Sequence, residues 1–187
     1  MSVVNITASL QVEAQNLDEI QQLEVVHKSK KKYKRNRMKN AFHHVIVSVP
    51  DSRIVFLVYK SGKCVCLGAK SMAAIENASI WLASGLRSSL ISRPAVKNIV
   101  CTFVYKSPHG GVNLENLFTR LQQKRSNEHF GSFEPELSPA LIYQATSVKG
   151  VKALILRPVK INITGLKTFE QVEPVLREID YILDPSF

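Results

Sequence analysis

The stretch VFLVYKSGKCVCLGAK, Val55 to Lys70, returns later in the chain as KALILRPVKINITGLK, Lys152 to Lys167. Each copy reads as an apolar strand, a short turn, a lysine (Lys63, Lys160), a second apolar strand, a glycine (Gly68, Gly165) and another lysine (Lys70, Lys167). The surroundings repeat in step. NITASLQV from Asn5 answers NIVCTFVY from Asn98, and NLDEI from Asn16 answers NLENL from Asn113. Corresponding positions lie roughly 95 residues apart, too far for a solenoid unit and suited to a duplicated half-domain. The chain is therefore expected to hold two similar halves, 1–93 with a basic insertion at 27–39, and 94–187, with Pro94 at the boundary.

Working outward, residues 3–12 alternate as a strand does, and Asn16 caps a helix with Asp18 and Glu19 in its first turn, where the helix dipole favours acid. Strands are expected at 42–49, 54–59 and 63–67, joined by turns at Pro50-Asp51-Ser52 and Ser61-Gly62. Ser71 opens a helix with Ile75, Ala78, Leu82 and Leu86 along one stripe. The second half repeats the order: a strand at 97–105, an Asn113-capped helix, further strands, and a last helix carrying Phe169, Val172, Leu176, Ile179 and Leu183. Pro174 requires that it sit in the first turn of that helix or at a kink.

The expected strands are apolar on both faces. Ile54, Phe56 and Val58 oppose Val55, Leu57 and Tyr59, and Ile99, Cys101 and Phe103 oppose Asn98, Val100 and Thr102. The expected long helices cover one face of a large antiparallel sheet. The other face, still apolar, is then either covered as well, as in a sandwich, or left exposed to bind something.

A net charge of +10 and a pI near 9.7 favour a polyanionic partner, nucleic acid above all, though a basic membrane-surface protein also fits. Eight Lys/Arg between Lys28 and Lys39 form a run suited to a mobile basic loop, a nuclear localisation signal or a phosphate-contacting arm. No run long enough to span a membrane and no secretory leader is read, which favours an intracellular protein with reduced thiols at Cys64, Cys66 and Cys101. These cysteines read as buried small apolar residues; with His43 and His44 they match no usual zinc spacing. Neither paired carboxylates in an apolar pocket, nor a Ser/His/Asp or Cys/His set, nor a phosphate-cradling glycine loop points to an enzyme.

The SGK…GAK hairpin, the FEPELSPALIY segment from Phe133 to Tyr143, the paired Asn5 and Asn98 and the duplication itself resemble the TATA-box-binding protein (TBP) family over essentially the whole chain, in the manner of a divergent TBP-related factor. The resemblance implies an α+β saddle: two pseudo-symmetric half-domains forming one curved ten-stranded antiparallel sheet, helices on the convex face and DNA under the concave face. The family is itself a reference case for wedge-driven minor-groove bending, so the kinks belong to the resemblance. It places Leu57, Tyr59, Val65, Asn98, Val100, Leu154 and Thr164 on the concave side.

The family's four wedge positions fall on Phe42, Tyr59, Ser138 and, with a one-residue insertion, Leu156. Serine cannot unstack bases and leucine is a smaller wedge, so any bend is expected to be smaller and centred on the Phe42/Tyr59 end. Asn5, Asn98 and Thr164 match the central polar readers, and Leu67 replaces the first threonine. Thr7 and Asn162 stand where the family has valines, and an amide there favours a G·C pair. Lys63, Lys70, Lys160 and Lys167 are expected on phosphates. Glu134, Glu136 and Leu137 match the stirrup that docks transcription factor IIB. The opposite stirrup, where factor IIA binds, contains the basic insertion, and the helix from Ser71 has only Arg87 where the family's is strongly basic. No cofactor or metal is implied. The resemblance gives a nuclear core-promoter factor of the RNA polymerase II preinitiation complex with altered or weakened TATA specificity. The alternative is a protein-interaction module that binds general transcription factors with little bending or specificity of its own.

Overall fold

A computed structural model of the chain describes residues 1–13, 44–105, 112–123, 130–157 and 160–184. The described chain divides into two compact units, Asn5–Lys97 and Asn98–Phe187 together with Met1–Val4. The helix expected from Asn16, the basic run Lys28–Lys39, His43 and Phe42 lie outside the described residues.

In the first unit, strands β1 (Ser2–Val12), β2 (His44–Ser48), β3 (Val55–Tyr59) and β4 (Lys63–Ala69) precede helix α1 (Met72–Gly85). The sheet order is β2-β3-β4-β1, all antiparallel. Alternation decides its two faces. Ile6, Ala8, Leu10, Val45, Val47, Phe56, Val58, Cys64 and Cys66 are buried on the side where α1 lies against β4, and Ile75, Ala78 and Leu82 meet them from the helix. Each large apolar side chain so buried contributes about 1.5–3 kcal/mol. Ser71 caps α1 by accepting the Ala74 N–H at 3.2 Å. The helix ends at Gly85, and Arg87 lies beyond it at φ 50°, so α1 carries no basic residue at all. That corrects the expectation of a helix continuing through Arg87.

Strand β5 (Leu90–Val104) includes Pro94. The second unit continues with α2 (Leu114–Gln123), β6 (Phe130–Ser132), β7 (Ala140–Gln144), β8 (Lys152–Leu156), β9 (Lys160–Leu166) and α3 (Val172–Leu183). Its order is β5-β9-β8-β7-β6, again antiparallel. Nine strands stand among the described residues where the resemblance implies ten. The first-half counterpart of β6, roughly one repeat of 95 residues upstream, falls within the undescribed 14–43.

Asn113 caps α2 through the Asn116 N–H at 2.9 Å. Pro174 occupies the first turn of α3, where its missing N–H costs no helical bond. Phe169, expected within that helix, precedes it and is 38% exposed, and Val175 and Ile182 complete its buried stripe. The helices are tied down by named contacts. Arg120 donates to the Asp184 carbonyl at 2.7 Å, Arg157 pairs with Glu115, and Glu178 on α3 accepts from Tyr143 on β7 and from the N–H and hydroxyl groups of Thr146 and Ser147. Burial works to raise the Glu178 pKa, but these donors overcome it and hold the carboxyl down at about 2.

Candidate nucleic-acid interface

The face of each sheet opposite its helices is half exposed along its length. In the first unit it carries Asn5, Thr7, Ser9, Val55, Leu57, Tyr59, Val65 and Leu67, with Ile46 48% exposed. In the second it carries Asn98, Val100, Thr102, Leu154, Leu156, Asn162 and Thr164. The residues expected on the concave side, Leu57, Tyr59, Val65, Asn98, Val100, Leu154 and Thr164, therefore lie on the open faces, where aliphatic groups alternate with polar ones such as Asn5, Thr7, Thr102 and Asn162. None of the described His, Cys, Asp and Glu residues gather into a possible metal site. Cys64, Cys66 and Cys101 are buried thiols; desolvation pushes Cys64 up to about 12 and Cys66 to about 11.

One local device is built twice. A bulge shifts the β1–β4 register between Ile6↔Ala69 and Ala8↔Cys66, and another shifts β5–β9 between Ile99↔Leu166 and Cys101↔Ile163. The extra residue in each is a glycine at positive φ, Gly68 at 88° and Gly165 at 96°. A Cβ on Gly68 would run into the Arg53 carbonyl oxygen, and one on Gly165 into that of Gly150, so only glycine fits. The bulge leaves the glycine N–H without a ladder partner, and an asparagine takes it. Asn5 Oδ1 accepts from Gly68 N at 2.7 Å and Asn98 Oδ1 from Gly165 N at 2.8 Å.

A backbone N–H can only donate, so it fixes which end of the amide turns inward. In both asparagines Oδ1 is thereby committed to the bulge and Nδ2 is the atom left for other partners. Asn5 commits one Nδ2 hydrogen to Thr7 Oγ1 at 3.3 Å; Asn98 has Val100 in that place, and none of its bonds among the described residues uses Nδ2. A surface that offers N–H₂ donors at intervals among half-exposed aliphatic groups matches a groove floor of acceptors, such as the adenine N3 and thymine O2 of the minor groove.

Two contacts were not legible in the sequence. His44 lies opposite Tyr59 across β2–β3, their ring centroids 5.5 Å apart at 44°, so the Tyr59 ring is propped at the strand end. The equivalent pair in the second unit is Ala140 and Leu156, with no ring. Nearby, Ser138 accepts the Ala140 N–H on its hydroxyl at 3.3 Å and so caps the turn before β7. Second, Thr102 and Asn162 face each other across β5–β9, and Thr102 Oγ1 donates to Asn162 Oδ1 at 2.8 Å. Counting outward-facing positions would have found both residues, but not that they meet.

Lys63, Lys70, Lys160 and Lys167 are exposed at strand ends. Glu134, Glu136 and Leu137 sit on a turn closed by the Leu137 and Ser138 N–H groups, both on the Glu134 carbonyl at 2.9 Å, and Leu137 is 82% exposed at its tip.

Comparison with known proteins bears on this geometry. The family described as transcription factor TFIID, or TATA-binding protein, matches residues 1–88 and 93–185. TATA-box-binding protein 2 of Arabidopsis thaliana is 36% identical over 149 residues, covering 73% of this chain and 69% of its own length. TATA-box-binding protein of Xenopus tropicalis is 32% identical over 148 residues, and there the match spans only 46% of the relative's length. The solved structure of Methanococcus jannaschii TBP superposes with a TM-score of 0.72 over 97% of both chains, at 24% identity, and so has the same fold.

Proposed function

Given that the chain belongs to the TATA-binding protein family of DNA-binding transcription factors, we propose that its open sheet faces bind core-promoter DNA in the minor groove and that it recruits the initiation machinery in the nucleus, with a sequence preference shifted from the TATA element. The observation that carries this reading is the paired Asn5 and Asn98 on the open faces, each with Oδ1 held by a bulge glycine N–H, which leaves the amide donors for a groove of acceptors. Leu57, Val65, Val100 and Leu154 supply flanking apolar contact, with Thr164 beside Asn98's bulge, and Lys63, Lys70, Lys160 and Lys167 reach phosphates. Phe42 completes the aromatic end by resemblance.

The wedge asymmetry favours an uneven bend. Unstacking a base step costs on the order of a few kcal/mol, offset by ring stacking and added contact. Tyr59 is braced by His44 for that purpose, whereas Leu156 beside Ala140 offers little return. The test is anisotropy and end-to-end energy transfer on labelled duplexes at two salt concentrations. Tyr59→Ala is expected to flatten the bend and Leu156→Ala to leave it nearly unchanged. Equal effects of the two would refute the asymmetric reading.

A second reading, a module acting mainly through general transcription factors, is favoured by the exposed Leu137, on the same turn as Glu134 and Glu136, a surface suited to a factor IIB-type partner. Duplex binding without any bend, together with retained capture of factor IIB, would favour it. A factor IIA-type contact would fall at the basic insertion.

A further inference from the structure

The three asparagine amides on the open faces are not equivalent. Asn5 and Asn98 each have Oδ1 bonded to a backbone N–H, which cannot accept, so neither amide can turn over without losing its partner. Asn162 has Oδ1 bonded to the Thr102 hydroxyl, which donates and accepts equally well. Turning the Asn162 amide by half a revolution replaces Thr102 Oγ1–H···Oδ1 by Asn162 Nδ2–H···Oγ1, with no local bond lost. The first unit has Ser9 and Val65 at the corresponding sites, and so no amide there.

Resting on the minor-groove reading above, we infer that Asn162, steered by Thr102, is a specificity-determining residue that admits a G·C pair at one position of the site. With Nδ2 outward it donates to the acceptors that every base pair carries in this groove. With Oδ1 outward it accepts from the guanine N2 amino group, the single feature that distinguishes G·C from A·T there. Asn5 and Asn98 hold donors fixed toward the groove and oppose that amino group, and Val65 leaves it without a partner. Among the amides of the open faces, tolerance of G·C thus falls to Asn162. The expectation that an amide at 162 favours G·C gains from Thr102 the mechanism by which it does so without excluding A·T.

Inosine isolates the group in question, because it is guanine without the N2 amino. An A·T-rich duplex is altered one position at a time to G·C or to I·C, and binding is measured for the wild-type protein, Asn162→Val and Asn98→Gln. Wild type is expected to prefer G·C over I·C by about 2- to 10-fold at one position, the worth of one hydrogen bond. Asn162→Val should reverse the preference at that position alone, while Asn98→Gln should weaken binding and leave the G/I ratio there intact. A G/I ratio that is the same in wild type and Asn162→Val at every position overturns the inference while leaving groove binding standing. Failure of the wild-type protein to bind any of the duplexes overturns both.

Discussion

Replacing Asn98 by aspartate separates the two tasks of that side chain. Aspartate is nearly isosteric, keeps an oxygen for the Gly165 N–H at 2.8 Å, and as an ionised acceptor strengthens that bond. Its second oxygen stands where Nδ2 stood, facing the groove, and can only repel acceptors and phosphates. The bond to Gly165 contributes about 1 kcal/mol to folding, and leaving the partly buried N–H unpaired costs about 1–3 kcal/mol. Asn98→Ala should therefore lower the unfolding free energy by about that amount, while Asn98→Asp should match or exceed wild type in a urea melt. Toward DNA the order differs. Two Nδ2 hydrogens at about 0.5–1.5 kcal/mol each amount to about 1–3 kcal/mol, and a carboxylate in their place adds repulsion. Asn98→Asp should then bind an A·T-rich duplex at least tenfold more weakly by anisotropy, and more weakly than Asn98→Ala. Asn5→Asp should lose less, because Thr7 already takes one of the Asn5 hydrogens. Binding by a folded Asn98→Asp protein within twofold of wild type would refute the outward placement of the amide.

Gly165→Ala places a Cβ against the Gly150 carbonyl at φ 96° and should cost at least about 1–3 kcal/mol in a urea melt, with Gly68→Ala similar; a neutral result would mean the bulge is not required. The Glu178 carboxyl has a folded pKa of about 2 against an ordinary 4.5, so its stabilisation is present above about 4.5 and is lost as pH falls toward 2. Glu178→Gln should melt earlier at pH 7 and flatten the acid limb of the stability profile; an unchanged acid limb would show that other groups govern it. Leu137→Ala alters a side chain 82% exposed and should leave stability within about 0.5 kcal/mol. In pull-down with factor IIB it should lose more than about fivefold in affinity, the threshold of a contact that matters, and undiminished capture would exclude the turn as the docking point.

The strands and their two faces were legible because a period of two needs only local reading. Phe56 against Leu57, and Cys101 against Thr102, fall where alternation puts them. The caps at Ser71 and Asn113 were legible for the same reason, each being a short-range bond within its own turn. What escaped depends on distant residues. The end of α1 at Gly85 lies in a C-terminal turn in which Arg87 takes φ 50° and the Ser88 N–H returns to the Ala83 carbonyl, a feature the apolar stripe continuing to Leu86 does not signal. The Thr102–Asn162 and His44–Tyr59 encounters require cross-strand register, and the first follows only once the Gly165 bulge has shifted β9 against β5.

Internal duplication also allows the two copies to be weighed against each other. Asn5 and Asn98, Gly68 and Gly165, and the buried alternate positions agree because the bulge and the core demand them. Thr7 and Val100, Ser9 and Thr102, Val65 and Asn162, Tyr59 and Leu156 differ, and none of these pairs carries the local fold. The differences follow one direction. On the minor-groove reading proposed above, the first unit, with Tyr59 at its strand end, selects by how easily a base step unstacks, a term of a few kcal/mol. On the same reading the second unit, with Leu156 opposite Ala140 and the Thr102–Asn162 pair, selects by about 1 kcal/mol of hydrogen bonding to a base edge. Deformation energy outweighs a single hydrogen bond. Mutations at the Tyr59 end should accordingly change affinity for all sequences together, whereas mutations at Thr102 and Asn162 should re-rank sequences with little change in the tightest affinity.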